Sequence, residues 1–179
     1  QGTLDRTIAD AISTACDEIL GGSLRDQFVV DPYQAGAGTS HHMNVNEVIA
    51  SRASELLGGV RSPSEGAVHP NDHVNLGQST NDVFPTAMRL AAHRLALPLL
   101  DALDELGRAL REKSRETMEV VKSGRTHLQD AAPIRMGHEI GAWASNVERH
   151  RKEIARVAAS LSELGIGGTA VGSGLSAAP

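Results

Sequence analysis

The chain has 179 residues, 40% of them hydrophobic but only 2% aromatic, and a formal net charge of −5. That length holds one domain with a sizeable core, or one domain and part of another. A core of Ala, Leu, Val and Ile with almost no aromatics suits close-packed helices better than a β-sandwich. Interspersed acidic and basic residues leave no basic stripe for nucleic acid and no polybasic patch for a membrane.

Residues 4–20 read as an amphipathic helix stopped by Gly21-Gly22. Cys16 lies within it as a small core residue, and as the single cysteine it has no partner for an internal disulfide. No apolar run approaches the roughly 18 residues of a membrane span, and no leader peptide is evident, so a cytoplasmic protein is expected. The segment 25–40, with Pro32 and two glycines, is expected to be irregular. Val45, Val48, Ile49, Ala53, Leu56 and Leu57 then recur at helical spacing until Gly58-Gly59. A loop rich in Pro, Gly, Ser and Asn is expected over 60–78.

The next helix is predicted to start near Ser79–Asp82, all good capping types, with Pro85 in its first turn, and to reach Glu116. Leu99, Leu103, Leu106 and Leu110 predict one buried stripe, and Pro98 a kink or a division. The stretch KSGRTHLQDAAP (122–133) reads as a polar loop, with Pro133 marking entry to a long helix. In that helix Ile140, Val147, Ile154 and Leu161 recur every seven residues, with Trp143, Val157 and Leu164 three further on. His150 interrupts this a/d seam. A helix of about 30 residues is roughly 45 Å long and needs partners along its length. The Gly-rich segment that follows does not supply them, so the seam is expected to pack against other chains.

Three polar segments fall at loop-to-helix junctions: GAGTSHHMNVNE (36–47), VHPNDHVNLGQSTND (68–82) and KSGRTHLQDAAP. Unsatisfied N–H groups and the helix dipole favour an anionic ligand at such junctions. Thr39, Ser79, Thr80, Asn81 and Thr126 offer the directed neutral donors that suit a small carboxylate, and His127 is of the residue type that shuttles protons. Each has a plainer reading. Ser79–Asp82 also forms a standard N-cap, and His127 alone reads equally as a structural hydrogen-bonding histidine. His69 and His73 invite zinc, but Pro70 between them disfavours a helix and no third ligand is evident, so no metal is expected. His41 and His42 are adjacent and point about 100° apart in a helix, so at most one faces a site.

Taken in order, GAGTSHHMNVNEVIASRASELLGG, VHPNDHVNLGQSTNDVFPTAM, SGRTHLQDAAPIRMGHEI and GGTAVGSGL resemble the fumarase/aspartase superfamily, in its class II fumarase and aspartate ammonia-lyase branch. The likeness runs from about residue 34 to the end and corresponds to the N-terminal portion of such enzymes. It implies an all-α fold: a helical lyase domain over 1–132 and, over 133–179, the first long helix of an incomplete central bundle. It also implies a homotetramer, no cofactor, and dicarboxylate substrates such as aspartate, malate and fumarate. By the same resemblance, Thr39, Ser79, Thr80 and Asn81 bind one carboxylate and the leaving group. Thr126 binds the other carboxylate and His127 is the active-site histidine. His69, Asn71 and Asp72 match the second, non-catalytic dicarboxylate site of fumarases.

The family's serine base lies in a flexible loop of the form G-S-S-x-M-P-x-K-x-N, which this sequence does not contain; the chain alone is expected to be inactive. GAGTS and QSTN resemble aspartases, whereas GGTAVG and SELLGGV resemble fumarases. The motifs nearest the leaving group tip the expectation to ammonia loss from L-aspartate, with class II fumarate hydratase as the alternative. A non-catalytic assembly relative and a small metal-binding helical protein are the other readings. His41 and His42 fit neither branch, Asn being usual at position 42, and the pair is expected to modify the entrance or the choice of substrate.

Overall fold

The computed structural model describes residues 4–33, 36–59 and 67–174. Val60 to Gly66 of the expected loop, Gln34 and Ala35, and Leu175 of the last motif lie outside them. The architecture is helical with one small antiparallel hairpin. In chain order it comprises α1 (Arg6–Leu20), a 3-10 turn (Arg25–Gln27), α2 (Thr39–Leu56), a π-helical turn (Pro70–Val74) and α3 (Thr80–Glu116). β1 (Val121–Thr126), β2 (Gln129–Arg135) and α4 (Met136–Ser160) follow. Two compact units result, residues 1–87 with 165–179, and residues 88–164. The expected boundary at 132/133 lies within β2.

In the first unit Asp5 caps α1, its carboxylate accepting from the N–H groups of Thr7 at 2.8 Å and Ile8 at 3.4 Å. Those bonds hold its carboxyl below the ordinary range. The core is small-residue packing between α1 and α2. Ala11, Ala15, Ile49, Ala50, Ala53 and Val68 are buried, with Ile8, Ile12, Cys16 and Ile19 against them. Burial, with the neighbouring Asp17 charge, pushes the Cys16 thiol pKa up. Beside this core Arg52 of α2 holds Glu18 of α1 in a two-point pair, Nε to Oε2 at 2.6 Å and an Nη to Oε1 at 3.0 Å. The Arg52 guanidinium keeps the Glu18 carboxyl below its ordinary range.

The second unit corrects the expectation of a buried leucine stripe on α3. The residues of α3 and α4 that are buried are Leu100, Gly107 and Ser114 on one helix and Gly137, Ala144 and Ala158 on the other. Both sets keep heptad spacing, but they are mostly small, and small residues let two helix backbones approach closely. A Cβ on Gly137 would lie 2.3 Å from the Ser114 carbonyl oxygen, and the Ser114 hydroxyl donates to the Gly137 carbonyl at 2.6 Å. The expected stripe is turned away from this contact, with Leu99 48% and Leu106 47% exposed. The a/d seam of α4 is left uncovered at Trp143, 53% exposed, and Val157, 46% exposed, while Ile140, Val147, Ile154 and Leu161 are half-buried; a seam without a partner in this chain is what the sequence predicts. Pattern alone identified apolar faces correctly but could not tell which face meets a neighbour in this chain. Helix α3 passes through Pro98 without division. The α4 C-terminus is closed by side chains of α3: Arg89 donates to the Ser160 carbonyl at 2.6 Å and His93 Nδ1 to that of Ala158 at 3.0 Å.

KSGRTHLQDAAP is a hairpin and not a loop. Thr126 pairs with Gln129 across the two-residue turn His127-Leu128, whose φ values are 48° and 63°. Positive φ at both central residues is what a type I′ turn demands, and Asn-Gly usually supplies it. Neither His nor Leu announces such a turn, and Pro133 within β2 further masks the strand. The long helix accordingly begins at Met136 and not at Pro133.

Candidate functional site

The first unit gathers Thr39, Ser79, Thr80 and Asn81 at the starts of two helices. Thr39 opens α2 behind a glycine-rich turn in which Gly36, Ala37 and Gly38 all have positive φ. Gly38 also lies against Phe84 in the first turns of α3, where an added Cβ would fall 2.3 Å from the ring. His41 stacks on the same ring with centroids 6.0 Å apart. These contacts seat the start of α2 beside the start of α3. Helix α2 has no side-chain cap. Among the described residues, the side chains of Thr39, Ser79, Thr80 and Asn81 form no hydrogen bonds. The capping reading of Ser79 is therefore corrected: its carbonyl accepts from Asp82 and Val83 N–H at 3.1 and 3.0 Å, while its hydroxyl stays open. Two helix N-termini thus present neutral side-chain donors without hydrogen-bond partners among the described residues, a setting suited to an anion.

Asp82, next to this cluster, was read as one of several capping residues, but it has a different task. Its Oδ2 accepts from the N–H groups of Gly167 at 2.8 Å and Thr169 at 3.3 Å, strapping the Gly-rich segment after α4 to the first turn of α3. The signal available in sequence was chemical: a run of exposed glycine N–H groups needs an acceptor, and Asp82 is the acid beside QSTN.

His69, Asn71 and Asp72 form a closed local turn. His69 Nδ1 accepts from the backbone N–H of Asn71 at 3.3 Å and of Asp72 at 3.2 Å, and its own N–H donates to His73 Nδ1 at 2.8 Å. Both Nδ1 atoms thus face backbone N–H groups as acceptors. The Asp72 carboxylate 3.3 Å from His69 Nδ1 becomes an ion pair only on protonation of that ring. Among the described residues no group of three or more His, Cys, Asp or Glu is placed to hold a metal.

Thr126 and His127 belong to the second unit, at the hairpin tip, and both are exposed. Arg125 Nε donates to Asp130 Oδ1 at 3.2 Å across the hairpin, bracing the turn. Gly124 marks a bulge in β1, where a Cβ would lie 2.7 Å from the Ala132 carbonyl oxygen. Beside the hairpin lies an open cavity of about 520 Å³ lined by Lys122, Arg125, Thr126 and Glu139, among others. Lys122 Nζ pairs with Glu139 Oε2 there at 2.5 Å.

The helical chain carries neutral donors at helix starts in its first unit and, in its second, a histidine on a turn with positive φ. A family model described as "Lyase" matches residues 2–179. The chain is 51% identical over 179 residues to "Fumarate hydratase class II" of Halobacterium salinarum, covering 99% of this chain and 38% of that protein. The structure of a class II fumarase from Schistosoma mansoni is 45% identical with a TM-score of 0.86, covering 99% of this chain and 37% of that one. The "fumarate lyase:delta crystallin" of Brucella melitensis is 48% identical with a TM-score of 0.81, covering 92% and 38%. The chain belongs to the fumarase/aspartase superfamily of lyases, and it spans little more than a third of the length of these relatives. Among the described residues, no helix is long and apolar enough to cross a membrane.

Proposed function

We propose that the protein carrying this chain is a class II fumarate hydratase, interconverting L-malate with fumarate and water. The open donors Thr39, Ser79, Thr80 and Asn81 at two helix N-termini carry the reading, because they suit a carboxylate without a metal or cofactor. The names of the relatives support water over ammonia as the leaving group, against the aspartase expected from GAGTS and QSTN. Those two motifs bind a carboxylate that malate and aspartate share, and neutral hydroxyl and amide groups can hydrogen-bond either leaving group, so they discriminate poorly.

In this reading a proton leaves the carbon beside one carboxylate, giving an aci-carboxylate dianion, and hydroxide departs from the neighbouring carbon with a proton as water. Thr39, Ser79, Thr80 and Asn81 donate to one carboxylate and the departing oxygen, Thr126 to the other carboxylate, and His127 positions and polarises. Donors fixed before reaction stabilise the developing charge. His69, Asn71 and Asp72 form the second dicarboxylate site. The base is a serine outside this chain, residues 1–132 are a lyase domain, and residues 133–179 begin a bundle shared by four subunits.

The test follows fumarate absorbance with L-malate and L-aspartate in parallel. The full-length protein is expected to act on malate alone, and the 179-residue chain on neither. Fumarate from aspartate but not from malate overturns the proposal. Turnover by the isolated chain removes the external serine.

A further inference from the structure

The adjacent histidines His41 and His42 were left without a role by both branches of the family. We infer that they form a clamp that sets the spacing of the donor cluster, with His42 as its positioning residue; this rests on the dicarboxylate reading of that cluster. Consecutive helical residues point about 100° apart, so two neighbours on one turn reach two different elements. His41 reaches forward to α3, stacking on Phe84 at 6.0 Å with 13° between the rings. His42 reaches into the interior. It is 6% exposed, and its Nε2 lies 2.8 Å from Asn75 Oδ1.

Asn75 is where that bond gains leverage. Its N–H donates to the Pro70 carbonyl at 2.9 Å and its carbonyl accepts from Gln78 N–H at 3.0 Å, so it pins both ends of the turn leading into Ser79, Thr80 and Asn81. His42 stands one helical turn from Thr39. The His42–Asn75 bond therefore links the α2 donor to the α3 donors directly. Asn46 of α2, 3% exposed, places its amide nitrogen 3.2 Å from the same Nε2. Nε2 carries its proton when it donates to the Asn75 oxygen and then has no lone pair for Asn46. The ring is held by the neutral Asn75 amide, with no carboxylate among its hydrogen-bond partners in the described residues, and so serves as a directed strut and not as an ion-pair partner.

Two consequences distinguish a strut from mere filling of the core. Glutamine reaches about as far as the imidazole Nε2 and carries an N–H there, so His42→Gln preserves the link. Leucine fills similar volume and cannot donate. In the longest natural polypeptide containing this chain, His42→Leu is expected to raise KM for L-malate by at least about tenfold, a loss of roughly one directed bond. His42→Gln should stay within about threefold. Amide hydrogen exchange at Gln78 to Asn81 should accelerate at least about tenfold in His42→Leu and stay near wild type in His42→Gln.

The inference is overturned if Gln and Leu behave alike in both measurements, whether both match wild type or both fail. The exchange measurement needs no substrate. An absence of activity in the wild type therefore refutes the dicarboxylate reading, while accelerated exchange confined to His42→Leu still supports the strut. His41→Phe, which keeps the stack on Phe84, is a second check: it should preserve KM where His41→Ala raises it, and equal behaviour removes His41 from the clamp.

Discussion

The donor cluster of the first unit and the hairpin tip of the second solve the same problem in opposite ways. At Thr39 and Ser79–Asn81 the polar groups stand on helix starts whose backbones are tied down by contacts beneath them: Gly38 on Phe84, His42 on Asn75, Asp82 on the Gly-rich segment. At Thr126 and His127 the support lies in the backbone itself, through positive φ at two non-glycine residues, a bulge at Gly124 and the Arg125–Asp130 brace. The first design stabilises by burial and hydrogen bonding; the second tolerates local strain at a tip open to solvent. Polar side chains can therefore be positioned either by what lies under them or by the turn they occupy, and the two respond differently to substitution.

The largest expected effect concerns what carries the hairpin. Gly137→Ala places a Cβ against the Ser114 carbonyl and should cost about 3 kcal/mol, on the order of 10 °C in Tm. Calorimetry checks this; an unchanged Tm shows that α3 and α4 are not in such close contact. Next, Ser79→Ala and Asn81→Ala remove side-chain donors that form no hydrogen bond among the described residues. Each should lower kcat/KM of the full-length enzyme by about 100-fold while Tm stays within a degree or so. A parallel fall in Tm would mean that these groups are structural, and the contrast with the hairpin would collapse.

Leu128 is 90% exposed at φ 63°. Leu128→Gly therefore loses almost no packing and relieves the left-handed backbone, and should stabilise the protein by about 1 kcal/mol. Destabilisation in a denaturant titration would show that the turn is not strained. The smallest effect is one of pH. The Glu18 carboxyl is held below its ordinary range by Arg52. The stability this contributes is present in full above the unfolded-state carboxylate pKa and is lost as pH falls through the lower folded-state value. Glu18→Gln should remove that part of the acid dependence, so that stability falls less steeply with acid than in wild type; identical acid profiles would place the dependence elsewhere.

Much of the helical frame was legible in sequence because its signals are local. Gly21-Gly22 after α1, the spacing of Val48, Ile49 and Ala53, and the run from Thr80 to Glu116 all speak through period and stop residues. The donor residues were legible for the same reason, standing at helix starts. What stayed hidden depends on contacts between distant segments. The seam of α3 and α4 lies on Gly107, Ser114, Gly137 and Ala144, which carry little hydrophobic signal, while the conspicuous Leu and Trp positions face outward. The hairpin was hidden because His127-Leu128 adopts a glycine-type conformation without glycine. His42 was hidden because its partner Asn75 lies 33 residues away, and only the fold brings them together.

The central claim is that the unpartnered donors at the starts of α2 and α3 hold a carboxylate. Its most direct test is the crystal structure of the full-length protein with succinate, an unreactive dicarboxylate. A succinate carboxylate is expected within hydrogen-bonding distance, about 3 Å, of Thr39 and of at least two of Ser79, Thr80 and Asn81. Succinate bound elsewhere at saturating concentration, with those four side chains still without partners, would contradict the account.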